Sequence, residues 1–209
     1  MYLPKGQAIT DRERVVTFVN EFGFGALVSA DLEATHMPFL LLDGPCSDDA
    51  EKPFRLAGHF AKANPHWKAL NGQEVLVIFS GPHAYVSPTW YASGPNVPTW
   101  NYAAVHMRGT LRFLNEGETV DVVEGLMRQY EPALLNDRAI VTAEYQQRLL
   151  AAVVGFEIAV SRVEGREKLG QQRSKQDQQG VFQALRSSSR NDASALAEYM
   201  QQCGLGIGG

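Results

Sequence analysis

The chain has 209 residues, 44% of them hydrophobic and 20% charged, with a formal net charge of −4. This composition fits a globular protein and excludes DNA binding by overall charge. It holds no run near the roughly 18 apolar residues of a membrane-spanning helix, and its two distant cysteines, Cys46 and Cys203, exclude a dense disulfide framework.

The charge is uneven along the chain. Residues 162–190 hold 7 basic and 3 acidic side chains, and the final 19 residues hold two acids and no base. Any nucleic-acid contact is therefore expected in 162–190, although a solvated mixed surface explains the same residues. The opening Met1-Tyr2-Leu3-Pro4 lacks the basic start and apolar run of a signal peptide. Reduced thiols and a cytoplasmic location are the expectation.

The spacing of Val15, Val16, Val19 and Phe22 after Thr10-Asp11-Arg12-Glu13 predicts an amphipathic helix over 10–22 with a capping box. Strands are expected at 24–30, 35–43 and 53–58, with a polar loop over 45–51. A short helix interrupted at Asn64-Pro65 follows. The nearly continuous apolar run 74–80 predicts a strand buried on both faces, and 83–87 a second, separate strand. In 101–113 one alternate set (Asn101, Ala103, Val105, Met107, Gly109, Leu111, Phe113) is largely apolar. The other (Tyr102, Ala104, His106, Arg108, Thr110, Arg112) is polar and cationic. That pattern fits a sheet with one polar face, and equally an anion site. Helices are expected at 118–131 and 142–152, and a strand at 155–163. The tail from 175 reads as helical, broken at Ser187-Ser188-Ser189 and recapped by Asn191-Asp192. Gly204–Gly209 is expected to fray. Consecutive short strands with helices at the ends predict a mainly β protein with peripheral helices, an antiparallel barrel rather than a βαβ sheet.

The densest chemistry lies in Gly81-Pro82-His83-Ala84-Tyr85-Val86-Ser87-Pro88-Thr89-Trp90-Tyr91 and Val97-Pro98-Thr99-Trp100-Asn101-Tyr102. Aromatic residues between prolines can form a rigid wall for a flat ring system, with Ser87, Thr99 and Asn101 as hydrogen-bonding groups. The same aromatics could fill a core or a subunit interface. Arg55, His59 and Lys62 offer cations for a phosphate, although a lysine at that position is also an ordinary solvated side chain.

These strings, with Gly58-His59-Phe60-Ala61-Lys62-Ala63-Asn64-Pro65-His66-Trp67 and the opening Met-Tyr-Leu-Pro, resemble the PaiB family of FMN-binding negative transcriptional regulators along nearly the whole chain. The resemblance implies an FMN-binding split β-barrel related to pyridoxamine-phosphate oxidases, assembled as a homodimer with flavin at the dimer interface. It implies a barrel over 1–165 and a helical extension over 166–209 that packs on the barrel or on the dimer partner. On this resemblance His59 and Lys62 contact the FMN phosphate. Trp90, Tyr91, Thr99, Trp100 and Asn101 border the ring or the dimer seam, and Arg108 and Lys168 are further phosphate candidates. The family segment resembling Lys-Leu-Ser-Gln-Asn-Arg reads Lys168-Leu169-Gly170-Gln171-Gln172-Arg173 here, so a hydroxyl is missing at Gly170.

No Walker loop is present, and the five histidines lack tight metal spacing. Gly204-x-Gly206-x-Gly208-Gly209 has no strand before it and no room for a helix after it, so it is not a dinucleotide loop. Three functions remain open: a regulator acting on DNA or through a protein partner, a flavin oxidoreductase or haem-handling protein, and a small-molecule binder.

Overall fold

The computed structural model describes residues 1–42, 53–136 and 139–209. The expected loop 45–51 and Cys46 lie outside the described residues. By internal contacts the chain divides into two units, and strands β6, β7 and β8 each contribute one stretch to each unit.

The first unit comprises residues 11–79 and 106–163. It holds β2 (Phe24–Val28), β3 (Ala34–Pro38), β4 (Leu40–Leu41), β5 (Arg55–Ala61) and parts of β6 (Glu74–Val86), β7 (Thr99–Phe113) and β8 (Val153–Lys168). Its strand order is β3-β2-β6-β7-β8-β5-β4. Antiparallel registers join β2 to β3 and β6, and β5 to β4 and β8. Three helices, α1 (Arg12–Glu21), α2 (Glu116–Tyr130) and α3 (Ala143–Leu150), belong to the same unit. The core follows from alternation: Leu27, Val77, Phe79, Met107, Leu111 and Ile158 are fully buried. Phe39 meets Phe79 at 5.5 Å and Phe156 at 6.1 Å between ring centroids, and Phe60 meets Phe156 at 5.1 Å. Edge-on and tilted rings of this kind fill a core without stacking face to face.

The second unit comprises residues 1–10, 80–105 and 164–209. It holds β1 (Ala8–Ile9), the remaining stretches of β6, β7 and β8, α4 (Lys175–Arg186) and α5 (Asn191–Cys203). Ala8 pairs with Arg166 and Ile9 with Gly165. The helices pack together through Val181, Phe182, Leu185, Leu196 and Met200, all buried.

Most expected elements are present with shifted ends. The first helix is capped by Asp11, which accepts from the Glu13 amide at 3.0 Å, one residue later than the capping box of the sequence reading. The stretch expected as one strand over 35–43 is two short strands, β3 and β4. The two strands expected at 74–80 and 83–87 are one continuous strand, β6. Gly81-Pro82 reads as a break, but β2 pairs with β6 only as far as Ile78. Proline beyond that point removes no N–H from the β2 ladder. The strand expected at 155–163 runs on to Lys168, so residues 165 and 166 lie among its last residues rather than beyond them. The terminal glycines do not fray. The Gly208 amide donates to Gln178 Oε1 at 3.2 Å, and Gln179 Nε2 donates to the Gly208 carbonyl at 3.3 Å.

Gly109 shows how closely β7 and β8 approach. A Cβ there would lie 2.3 Å from the Ala159 carbonyl oxygen, a backbone atom that cannot rotate away. Gly109→Ala is expected to destabilise the fold by about 1–3 kcal/mol. Denaturant unfolding checks this, as a lower midpoint at unchanged slope.

Candidate functional site

The period of two that builds the second unit also sorts its chemistry. On β6, Ala84 and Val86 are buried while His83 and Tyr85 are exposed. On β7, Asn101 and Ala103 are buried, while Trp100 is exposed and Tyr102 half-buried. On β8, Gly165 and Glu167 are buried, and Arg166 and Lys168 are half-buried. Since β6, β7 and β8 are neighbours in that order, the outward set runs from aromatic to aromatic to cationic.

The aromatic part is an angled wall. Trp100 lies 6.3 Å from both His83 and Tyr85, and Tyr85 lies 6.4 Å from Trp90, ring centroid to ring centroid. Tyr85, Trp90 and Trp100 line a cleft of about 270 Å³ together with Ala84, Ser188, Arg190 and Ala193. Arg190 is neutralised by Asp192, to which it donates twice, at 3.0 and 2.7 Å.

The cationic part is different. Lys168 Nζ donates to Thr99 Oγ1 and, at 2.8 Å, to the Trp100 carbonyl. Arg166 donates to Gln7 Oε1 at 3.1 and 2.8 Å and to the Tyr2 carbonyl at 3.2 Å, with the Tyr102 ring centroid 5.3 Å away. Arg173 donates to Asn96 Oδ1 at 2.9 Å and lies 4.8 Å from the Tyr91 ring centroid. All partners of these three cations are neutral, and among the described residues none forms an ion pair with a carboxylate. Burial, then repulsion from Arg166 and Arg173, holds the Lys168 ammonium below the ordinary lysine pKa. Three cations in mutual electrostatic reach with no counter-charge suit an anion, and the neighbouring rings suit a flat aromatic one.

Six of the expected site residues, Trp90, Tyr91, Thr99, Trp100, Asn101 and Lys168, thus fall in this unit. Asn101 belongs to the buried set of β7 rather than to the face that carries Trp100. Gly170, where the family has serine, has φ +81°, a left-handed conformation that glycine adopts without strain.

His59, Lys62 and Arg108 fall in the other unit. Lys62 Nζ donates to the Ala151 carbonyl at 2.6 Å, just past the end of α3, where a cation is favoured by the exposed carbonyls. It also lines a cavity of about 400 Å³ with Glu116, Thr119 and Gly155. His59 Nδ1 is shut off from solvent with no hydrogen-bond partner among the described residues, and burial lowers the imidazole pKa. The Arg108 carbonyl accepts from Ser161 Oγ at 3.3 Å. His66 is a satisfied core histidine, 2.8 Å from both Thr35 Oγ1 and Ser29 Oγ.

The sequence reading missed Arg166 and did not use Tyr85 or Arg173. Continuing the alternation of 155–163 by five residues would have put Arg166 and Lys168 on one face.

The chain has the fold of the flavin-binding split β-barrels. The fold is shared with the FAD and heme binding protein from Mycobacterium smegmatis (TM-score 0.56, 16% identity, 78% of this chain and 73% of that one). It is shared too with the flavocytochrome Anf3 from Azotobacter vinelandii (TM-score 0.55, 12% identity, 79% and 72%). Residues 1–162 match the family described as "Putative FMN-binding domain". The chain is also 35% identical to "Protease synthase and sporulation protein PAI 2" of Bacillus subtilis, over 96% of this chain and 97% of that one. The chain belongs to the PaiB family of FMN-binding proteins. No helix among the described residues is long and apolar enough to cross a membrane.

Half-buried His59 gives a pH prediction. Its native pKa lies below the ordinary 6.5, so the unfolded chain takes up the proton first. The stability this contributes is complete above the ordinary value and declines as pH falls from there toward the native value. Unfolding free energies measured across that window should fall with acid in the parent, and His59→Gln should flatten the slope.

Proposed function

We propose that this protein is an FMN-binding negative transcriptional regulator of the PaiB type, cytoplasmic and homodimeric, with its flavin at the dimer interface. The observation that carries the site reading is the group Arg166, Lys168 and Arg173 beside an aromatic wall, none of them ion-paired with a carboxylate among the described residues. The cations receive the anionic end of the cofactor. Trp90, Tyr91 and Trp100 border its flat ring, and Thr99 holds the Lys168 ammonium in place. Bound FMN supplies one- or two-electron redox chemistry, while the protein supplies placement and electrostatics. His59 and Lys62 are the competing phosphate contacts. Burial lowers the His59 pKa, so His59 starts with less to offer an anion, while Lys62, like Lys168, already donates to a backbone carbonyl and stands apart from the aromatic wall in the other unit.

The regulatory output rests on family membership. The acidic chain favours action through a protein partner or through a local basic surface, in which case DNA affinity should fall steeply with salt. A second reading is a flavin-dependent oxidoreductase. It is favoured by the exposure of Trp100 and Tyr85, 49% and 40%, which leaves the wall open to a second molecule. Sustained turnover of a reduced nicotinamide would select that reading.

FMN titration followed by flavin fluorescence tests the placement. Lys168→Ala should weaken FMN by about tenfold, the equivalent of about 1.4 kcal/mol, and Lys62→Ala should weaken it far less. Intact affinity in Lys168→Ala with loss in Lys62→Ala would move the phosphate to the other unit.

A further inference from the structure

The chain leaves the sheet at Val86, where β6 ends, makes a short turn to Trp90 and crosses Tyr91 to Pro98 before β7 begins. Half of that loop is Gly, Pro or Ser, the residue types of turns. The restraint comes from the start of α4 and the residues just before it. Asp177 Oδ1 accepts the backbone amides of Ala92 at 2.9 Å and Ser93 at 3.1 Å, and Asp177 Oδ2 accepts the Ser93 hydroxyl at 2.8 Å. Arg173 holds Asn96 and lies over Tyr91. Gly180 brings the helix backbone against Trp90, since a Cβ there would lie 2.2 Å from the Trp90 carbonyl oxygen.

Asp177 is the centre of this clamp. It is buried, only 3% exposed, and among the described residues it has no cationic partner. From the loop, its charge is met by the amides of Ala92 and Ser93 and by the Ser93 hydroxyl, and next to α4 by Ser174. A buried carboxylate satisfied by two amides and a hydroxyl is a strong, directional tie, and removing it leaves those donors unpaired. The Ser93 hydroxyl and the loop amides hold its pKa below the usual carboxylate range. The tie therefore persists at neutral pH.

We propose that Asp177 is a positioning residue of the flavin site, fixing Ala92 and Ser93 so that Trp90 and Tyr91 present their rings to the cofactor. This rests on the site reading above. It assigns a role in cofactor binding to a residue outside the stretch 1–162 that defines the family. It extends the site from Arg166, Lys168 and Arg173 into α4. Because the tie links α4 to the loop, FMN binding and α4 stability should also reinforce each other.

The test is a double-mutant cycle on FMN affinity in the full-length protein, with thermal melting of every variant. Asp177→Ala should weaken FMN about tenfold in the parent and change it little in a Trp90→Ala/Tyr91→Ala background, because residues acting through one another are not additive. Asp177→Asn keeps an acceptor oxygen for the two amides, so it should fold and lose less. Equal losses in both backgrounds would reduce Asp177 to a structural residue and overturn the proposal. Full FMN affinity in Asp177→Ala and Asp177→Asn, with the aromatic variant weakened, would overturn it alone. Full affinity in the aromatic variant and in Trp100→Ala would remove the site reading and the proposal with it.

Discussion

Holding Arg166, Lys168 and Arg173 within reach of one another costs free energy unless an anion offsets the repulsion. Proteins usually meet that cost with a nearby Asp or Glu, as Arg112 does here with Glu118 and Glu157. Among the described residues, the partners of these three cations are two backbone carbonyls, two side-chain amides, a hydroxyl and aromatic rings. Such groups orient the cations without neutralising them. The fixed positive potential that results suits an anion.

The sheet makes this arrangement possible. Alternation on three adjacent strands turns Ala84, Val86, Ala103 and Val105 inward and leaves aromatic and cationic side chains on the opposite face. A shift of one residue in β7 would bury Trp100 and expose Asn101, and the wall would be lost. Glu167 shows the same logic from the inside. It is buried on β8 between Arg166 and Lys168, yet its carboxylate turns inward to accept from Tyr199 and compensates neither cation.

Much of this was legible in the chain itself. The two faces of 101–113 follow from alternation alone, and the long aromatic strings placed the chain in its family. Strand ends were less legible, because pairing decides them: β6 passes through Gly81-Pro82 where β2 no longer pairs. Arg166 was hidden because it lies beyond the residues read as strand. Asp177 could not be found at all, since its importance lies in partners more than eighty residues away in sequence. Gly170 looked like a lost contact, but its positive φ shows a turn that glycine suits.

A crystal structure of the protein with FMN bound would be the most direct test. A phosphate within hydrogen-bonding distance of Lys168, Arg166 or Arg173, with the ring against Trp90, Tyr91 or Trp100, is the predicted result. A phosphate held by His59 and Lys62, with those three cations left free, would contradict it.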